Sequence, residues 1–410
     1  MMEILKKLNI EEWFILLIVV GYTVFSAFAI PFQIENSRFF SVPFRILIFG
    51  LSVFIIYKNF SSAKFKNIAV LSLITFWLFY FFKSYLSFTN DVYSEIFKLQ
   101  FSEIYSRIII IAMVPSLALL FINYKKINFA LVAKAFFYVL MVMLIFNLIY
   151  AAVMPYGIQI RYIFSMYYIS YGHLGTTLAL LSIFFLLFKP KEISTYFLYF
   201  GLILGIVTIL IGGARSPFLA IMVVIPYLLI LKKNYKLIAL FLVLLLLSVV
   251  VIYIFGKSED YHLMFIDRTY LWLFEGDNSL RTPLFNKGIE IFKANPIIGG
   301  RTHFEDGMYP HNIFLELLMA TGILGLILYF LKFIPVFKNF RYFLFKNKNA
   351  YHILFFTLFL QYFVLVITSF TLYSVPEFLY FSNIIIGISI SNSNEENESN
   401  DGSRNPSRNY

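Results

Sequence analysis

The sequence predicts an all-α polytopic membrane protein with about twelve transmembrane helices and one large outer loop. Of its 410 residues, 60% are hydrophobic, 20% are aromatic and only 13% are charged. A soluble domain carries about 25% charged residues, so most of this surface must face hydrocarbon. The apolar residues also cluster in runs, and about 17–25 residues suffice to cross a bilayer core.

Twelve apolar runs are candidate spans, and short polar connectors separate most of them. Their approximate limits are residues 13–32, 42–57, 68–88, 107–123, 128–152, 168–188, 194–213, 216–231, 236–255, 312–331, 351–369 and 372–391. No small-residue cleavage site follows the first run, which is therefore expected to stay as a helix. Residues 1–391 form the predicted membrane domain, and the polar stretch 392–410 is predicted to be a disordered cytoplasmic tail.

The distribution of Lys and Arg predicts the orientation of the helices. With the amino terminus inside, nineteen Lys and Arg residues fall in the cytoplasmic segments and five in the short outer connectors. Both termini are therefore predicted to be cytoplasmic. The net charge of +11 does not indicate nucleic-acid binding, because the basic residues are spread over short connectors. The chain has no cysteine, which excludes disulfides and thiolate metal sites.

The long connector, residues 256–310, is predicted to lie on the outer, periplasmic side. Connectors of this length are usually functional or disordered. Apolar residues between Leu284 and Phe292 recur at helical spacing, and Pro296 follows them. This pattern predicts a short amphipathic helix on the membrane face. Residues 91–107 are a second candidate for such a helix.

Arg215 lies in a turn of the sequence Gly-Gly-Ala-Arg-Ser-Pro between two predicted spans. Glycine permits a sharp turn and a close approach to a ligand, and Pro217 suits the first turn of the next helix. The amino end of that helix beside Arg215 would suit an anion such as diphosphate. The alternative is an arginine at the membrane interface whose guanidinium extends into water and binds no ligand.

His311 and Arg45 are further candidates. His311 begins the segment His-Asn-Ile-Phe-Leu-Glu, in which Asn312 is a plausible helix N-cap. Histidine exchanges protons near neutral pH and can serve as a general base, but a structural histidine is the alternative. Arg45 lies inside a predicted span, where a charge costs about 2.5–3.5 kcal/mol. It either faces the same outer cavity, where it would be a further diphosphate-binding residue, or extends to water. The acidic loop residues show no metal-ligand spacing, so no metal site is predicted.

Three segments of the chain resemble the family of O-antigen ligases and O-antigen polymerases, in the family's order. The first is the turn at 212–216. The second starts at Arg281 and ends in Asn-Pro-Ile-Ile-Gly-Gly at 295–300. The third is His-Asn-x-x-Leu-Glu at 311–316, followed by Thr-Gly-Ile-x-Gly at 321–325. They cover about 110 residues, and hydropathy with the single large outer loop extends the resemblance over most of the chain.

The resemblance implies a bacterial inner-membrane glycosyltransferase that needs no metal or other cofactor and whose active site faces the periplasm. Its donor would be a glycan on undecaprenyl diphosphate. Arg215, Arg281 and His311 match the family's functional residues, the arginines for the diphosphate and the histidine for proton transfer with inversion. Arg161 is a weaker match, because the Asn-Pro-Asn segment that often follows is missing, and Ala214 replaces a common serine.

The resemblance leaves the acceptor open. The favoured hypothesis is a polymerase that joins lipid-linked repeat units into O-antigen, capsular polysaccharide or exopolysaccharide, an analogy based on how widespread such enzymes are. A ligase that transfers the glycan to lipid A-core is the near alternative. A flippase or other transporter is the alternative of another class, but the internal repeats typical of transporters are not evident. Membrane lipids and a chain-length regulator protein complete the expected partners.

Overall fold

The computed structural model describes residues 1–21, 38–153, 162–163, 166–189, 191–258, 263–276, 281–346 and 349–403. Within these ranges the chain is almost wholly helical, which confirms the all-α prediction. Two short strands, β1 (Tyr162–Ile163) and β2 (Met166–Tyr167), pair antiparallel just before a long helix.

The helices follow one another with short connections. In the first part of the chain they are α1 (Met2–Leu5), α2 (Ile10–Leu16), α3 (Arg38–Asn59), α4 (Ser62–Phe65), α5 (Ile68–Asn90), α6 (Glu95–Lys98), α7 (Phe101–Arg107), α8 (Val114–Phe121) and α9 (Phe129–Val153). Short π-helical segments lie at Leu17–Gly21 and Ile108–Met113, and a 3-10 turn lies at Tyr124–Lys126.

The second part of the chain holds the longer helices and the large loop. Its helices are α10 (Tyr168–Phe188), α11 (Thr195–Gly212), α12 (Arg215–Leu231), α13 (Tyr235–Gly256), α14 (Met264–Phe274), α15 (Arg281–Ala294), α16 (Ile313–Leu331), α17 (Ile334–Lys338), α18 (Ala350–Thr368) and α19 (Pro376–Ser403), with a π turn at Tyr342–Lys346 before α18.

Nine helical stretches in the described residues are long and apolar enough to cross a membrane. They are Phe39–Asn59, Ile68–Asn90, Phe101–Phe121, Phe129–Ile149, Tyr168–Phe188, Thr195–Gly212, Tyr235–Gly256, Ile313–Leu331 and Ala350–Thr368. α12 is apolar but shorter, with 17 residues. α19 overlaps the last predicted span over residues 376–391 but is not one of the nine. The first predicted span begins in α2, and its residues 22–32 lie outside the described residues. The chain is therefore a multi-pass membrane protein, as predicted.

The described residues of the large loop contain two helices. α15 confirms the helix predicted between Leu284 and Phe292, whereas α14 was not predicted. The stretch 91–107 forms α6 and α7, and α7 continues into a span that starts at Phe101, six residues before the predicted start. α19 runs to Ser403, and the boundary predicted at residues 391 and 392 stays a prediction.

A break in the middle of α16 joins the loop to the helix bundle. Gly322 has φ 64° and ψ −164°, which interrupts the helical hydrogen bonds. The N–H groups of Ile323 and Leu324 donate instead to the carbonyls of Pro296 and Ile297, at 2.9 and 3.0 Å. Gly300 N–H donates to the Met319 carbonyl at 2.8 Å. We call residues 296–300 with the break at Gly322 the clasp.

The clasp explains two of the segments that carry the family resemblance. Asn-Pro-Ile-Ile-Gly-Gly and Thr-Gly-Ile-x-Gly are the two halves of one backbone contact, which satisfies polar groups that the break would otherwise leave unbonded. Lys83 on α5 also donates to the Gly299 carbonyl, at 2.9 Å. Since the clasp holds the end of α15 against α16, it fixes the helix that begins with Arg281.

Candidate functional site

A cavity of about 290 Å³ lies where several helix ends meet. The ends belong to α10, α12, α14, α15, α16 and α18. In the predicted orientation, the cavity ends of the spans α10, α12, α16 and α18 all lie on the outer side of the membrane. The lining residues are Tyr168, Ile169, Ala214, Arg215, Ser216, Leu219, Arg268, Trp272, Arg281, Thr282, Phe285, Asn312, Ile367, Thr368 and Ser369. Among these described lining residues are three arginines and no acidic side chain.

Arg215 enters the cavity from a tight turn between α11 and α12. Gly213 ends α11 in the left-handed conformation, with φ 61°, which glycine adopts without steric cost. Gly212 packs so closely on α10 that a Cβ there would come within 3.1 Å of the Gly172 backbone. The backbone conformation therefore favours glycine at 213, and Gly212 allows α11 to approach α10 closely. α12 begins at Arg215 with Pro217 in its first turn, as predicted.

Arg281 enters the cavity from the first residue of α15. Its guanidinium donates to the carbonyl of Thr368 and, at 3.3 Å, to the hydroxyl of Ser369. Both partners lie at the carboxyl end of α18. These contacts orient the guanidinium at the cavity wall.

Arg268, on α14, is the third cavity arginine, and the sequence analysis missed it. Its guanidinium lies 5.1 Å from the centre of the Tyr168 ring, and its carbonyl accepts from Arg215 at 3.4 Å. Arg215 in turn lies 6.0 Å from the ring of Trp272, one helical turn beyond Arg268. Arginine stacks readily on aromatic faces, which fixes the plane of its donors. The i, i+4 spacing of Arg268 and Trp272 was the available signal.

His311 lies directly beside the cavity. Its backbone is in the left-handed region, with φ 56°, a conformation that costs energy outside glycine. The next residue, Asn312, is the predicted N-cap of α16: its Oδ1 accepts from Leu315 N–H at 3.1 Å. The Asn312 amide also donates to the Ile367 carbonyl at 2.9 Å, which ties the start of α16 to the end of α18.

Burial and the positive charge of Arg281 together lower the pKa of His311 to about 4. The imidazole is therefore neutral at physiological pH and holds a free nitrogen lone pair. Arg281 therefore acts electrostatically on a histidine thirty residues further along the chain.

Glu316, the last residue of the His-Asn-x-x-Leu-Glu segment, does not line the cavity. It is buried, and its carboxylate accepts from Tyr80 at 3.3 Å and from the Leu372 N–H at 3.0 Å. These contacts join α16 to α5 and to the turn before α19. The end of this segment therefore supports the site rather than forming it.

Two other predicted residues, Arg45 and Arg161, are not among the residues that line the cavity in the described part of the chain. Arg45 is on α3, which packs against α2 and α8 and does not supply a lining residue. Arg161 lies outside the described residues. In the described part of the chain, no group of three His, Asp or Glu side chains could hold a metal ion.

The bundle of apolar helices and its cationic cavity define a polytopic membrane protein with a site suited to an anionic ligand at one face. A match to a protein family narrows this class further. Residues 200–330 match the family described as O-antigen ligase. This match supports the O-antigen ligase and polymerase family and confirms the resemblance seen in the motifs. No curated protein and no solved structure matches the chain significantly.

The matched range contains Arg215, Arg268, Arg281 and His311, so the cavity lies largely within the family region, whereas Arg45 is outside it. The family implies an enzyme that transfers glycosyl groups and acts on a lipid-linked glycan and an acceptor in general. It does not separate polymerase from ligase.

Proposed function

We propose that this protein is a membrane glycosyltransferase that polymerises undecaprenyl-diphosphate-linked repeat units into O-antigen, capsular polysaccharide or exopolysaccharide. The convergence of Arg215, Arg268 and Arg281 on one cavity carries the proposal. The family match supports a transferase over a flippase or other transporter, because it implies glycosyl transfer.

The three arginines suit the leaving group of such a reaction. A guanidinium is permanently charged and can donate two parallel hydrogen bonds to phosphate oxygens. Negative charge grows on the diphosphate as its bond to the sugar breaks. Fixed arginines therefore stabilise the transition state more than the ground state.

His311 is proposed to be the general base. The acceptor hydroxyl oxygen forms a bond to the anomeric carbon, and the bond from that carbon to the diphosphate oxygen breaks with its electron pair. The hydroxyl proton passes to the neutral imidazole of His311. Attack from the face opposite the leaving group inverts the anomeric carbon.

The donor itself would make His311 a stronger base. Burial lowers the pKa of His311, and the positive charge of Arg281 lowers it further. A diphosphate bound at Arg281 brings negative charge that opposes the second effect. Binding of the donor would therefore raise the pKa of His311 toward its ordinary value when the proton has to be accepted.

The proposed location is the bacterial inner membrane, with both termini in the cytoplasm and the cavity open to the periplasm. The bias of nineteen against five basic residues supports this orientation. The helix directions also support this orientation. α10, α12 and α16 contribute their amino ends to the cavity and α18 contributes its carboxyl end, as expected if the predicted order of inward and outward spans is right.

The second candidate is a ligase that transfers the finished glycan to lipid A-core. The description of the matching family as O-antigen ligase favours it. Both enzymes need the same cationic site for the donor diphosphate, and they differ in the acceptor and in where the product stays attached.

Purified protein incubated with lipid-linked repeat units alone tests the two candidates. A polymerase would give a ladder of longer chains that remain on undecaprenyl diphosphate. If transfer instead occurs only after lipid A-core is added, the ligase is the correct function. The same reaction with a chelator tests the proposed independence of metal, and rescue of a chelated reaction by one divalent ion would refute it.

A further inference from the structure

Ser216 lines the cavity directly after Arg215, and a buried histidine holds its hydroxyl. The Nε2 atom of His173, on α10, lies 3.0 Å from Ser216 Oγ. Both side chains are almost fully buried, with 1% of His173 and 6% of Ser216 exposed. Neither residue was a candidate in the sequence analysis.

The surroundings of His173 determine which atom donates. Within the described structure, its Nδ1 atom is buried and has no hydrogen-bond partner. A proton on Nδ1 would leave a buried N–H unsatisfied, which is rarer than an unsatisfied acceptor in folded proteins. We therefore assign the ring proton to Nε2, so that His173 donates to Ser216 Oγ.

This assignment fixes the direction of the Ser216 hydroxyl. Its oxygen accepts from His173, so its own proton must point elsewhere. No acceptor for that proton is found among the described residues, whereas other buried hydroxyls of α10, such as those of Thr176 and Thr177, donate to carbonyls one turn earlier. The remaining direction for the Ser216 proton is toward the cavity.

The histidine is itself held in place by the bundle. Gln361, on α18, donates from its amide to the His173 carbonyl at 2.7 Å and to the Thr177 hydroxyl at 2.9 Å. The preceding residue, Gly172, lies so close to Pro217 that a Cβ there would come within 2.8 Å of the proline ring. α10 and the start of α12 therefore form a rigid pair.

We propose that His173 is a positioning residue that fixes the Ser216 hydroxyl as a hydrogen-bond donor to a phosphate oxygen of the substrate. This inference rests on the proposed function, because it needs a diphosphate in the cavity. The hydroxyl would act beside the Arg215 guanidinium, and a hydrogen bond to an ionised acceptor is about twice as strong as one between neutral groups.

A double-mutant cycle tests the proposal, with kcat and KM for lipid-linked repeat units as the readouts. Ser216→Ala should lower kcat about tenfold or more, as expected for the loss of a hydrogen bond to a charged group. His173→Leu should have an effect of similar size. The double variant should be no worse than Ser216→Ala within about twofold, because His173 acts through Ser216.

His173→Gln keeps a donor amide near the position of Nε2 and should recover most of the activity that His173→Leu loses. Ser182→Ala is the matched control, since it removes another buried hydroxyl of α10, one that donates to the Leu178 carbonyl. It should leave kcat unchanged. These comparisons separate a positioning role from a general loss of folding, which would affect the leucine and glutamine variants alike.

Binding of undecaprenyl diphosphate distinguishes failure of the proposed function from failure of the role proposed for His173 and Ser216. If this lipid fails to raise the Tm of the wild type, the proposed function is wrong and the inference fails with it. If the wild type is stabilised but Ser216→Ala keeps wild-type kcat, only the inference is wrong. It is also wrong if the effects of the Ser216→Ala and His173→Leu substitutions multiply in the double variant.

Discussion

Two groups of basic side chains near the large loop differ in their partners. In the first, which we call the latch, Arg301 and Lys287 both pair with Glu305, and Arg301 lies 3.8 Å from Asp91. In the second, the cavity, Arg215, Arg268 and Arg281 contact carbonyls, a hydroxyl and aromatic rings. Carboxylates pair with the basic side chains of the latch, and carbonyls, a hydroxyl and aromatic rings hold the guanidiniums of the cavity in place.

This difference indicates what each group does. In the latch, the charged side chains connect three segments: α15, the loop between α15 and α16, and the connector between α5 and α6. Arg301 also donates to the Val92 carbonyl at 2.8 Å and stacks 4.7 Å from the Tyr93 ring. In the cavity, the carbonyls, the hydroxyl and the aromatic rings fix the planes of guanidiniums that line a site able to hold a ligand. The latch therefore holds the loop, and the cavity is the part suited to chemistry.

The largest expected effect is at His311, at the edge of the cavity. His311→Ala should lower turnover by on the order of 10²–10⁴-fold, the usual contribution of a general base, while binding of the donor persists. Turnover and donor affinity would be measured separately. His352→Gln is the control, because that ring bonds Tyr342 at 2.8 Å far from the cavity lining. Full activity of the alanine variant would exclude the proposed base.

The pH dependence of the wild type gives an independent test of His311. Since the pKa of this imidazole in the donor-free protein is lowered to about 4, kcat/KM should stay level from neutral pH downward and fall only near pH 4. Between about pH 6.5 and 4 the unfolded chain binds more protons than the folded one, so stability also decreases as the pH falls. The Tm must therefore be followed in parallel. A fall in kcat/KM centred near 6.5, without loss of fold, would contradict a buried base.

The next largest expected effect, on turnover, compares arginines of the cavity with the arginine of the latch. Arg215→Lys and Arg281→Lys keep a positive charge but lose the paired donors, so turnover should fall by about 10²-fold, comparable with the loss of one oxyanion donor. Arg301→Lys in the latch is the matched substitution. It should retain activity, because a lysine can still pair with Glu305. Equal losses at all three positions would show that the distinction between latch and cavity is wrong.

Much of this architecture could be predicted from local sequence. Apolar runs predicted the spans, the spacing from Leu284 to Phe292 predicted α15, and Asn312 was predicted as a cap, because each depends on neighbours in the chain. The early start of α7 was missed, since Ser102 and Glu103 lower the hydropathy of its first turn although they are compatible with a helix.

The cavity could be predicted only in part. Arg215 and Arg281 stood in recognisable segments. The i, i+4 spacing of Arg268 and Trp272 places the two side chains on one helix face, but only the folded chain shows that α14 lies against the start of α10. Arg45 was a candidate because of the cost of its charge, a local argument that does not show which helices α3 contacts. The clasp was also missed, since it pairs two segments that only the folded chain brings together.

A smaller effect, on stability, is expected at the clasp. Gly322→Ala places a Cβ where φ is 64° and within 2.5 Å of the Ile297 carbonyl carbon. Backbone strain of this kind costs about 1–3 kcal/mol. The variant should show a lower Tm and, because α15 loses its anchor, lower turnover. Gly50→Ala is the control, since a Cβ there would have no atom within 4 Å. An unchanged Tm at Gly322→Ala would mean that the break in α16 does not depend on glycine.

The smallest expected effect is in the latch itself. Glu305→Gln removes the carboxylate that pairs with Lys287 and Arg301 but keeps its shape. Exposed ion pairs contribute about 0–1 kcal/mol, and half of the Glu305 side chain is exposed. The Tm should therefore fall slightly, and more at low salt than at high salt, while turnover changes less than twofold. Those two ion pairs lower the pKa of the Glu305 carboxyl, so the wild type should lose the same small stability as the pH falls toward the acidic range. A large loss of turnover without a change in Tm would show that the latch takes part in the reaction, and the contrast with the cavity would then have to be abandoned.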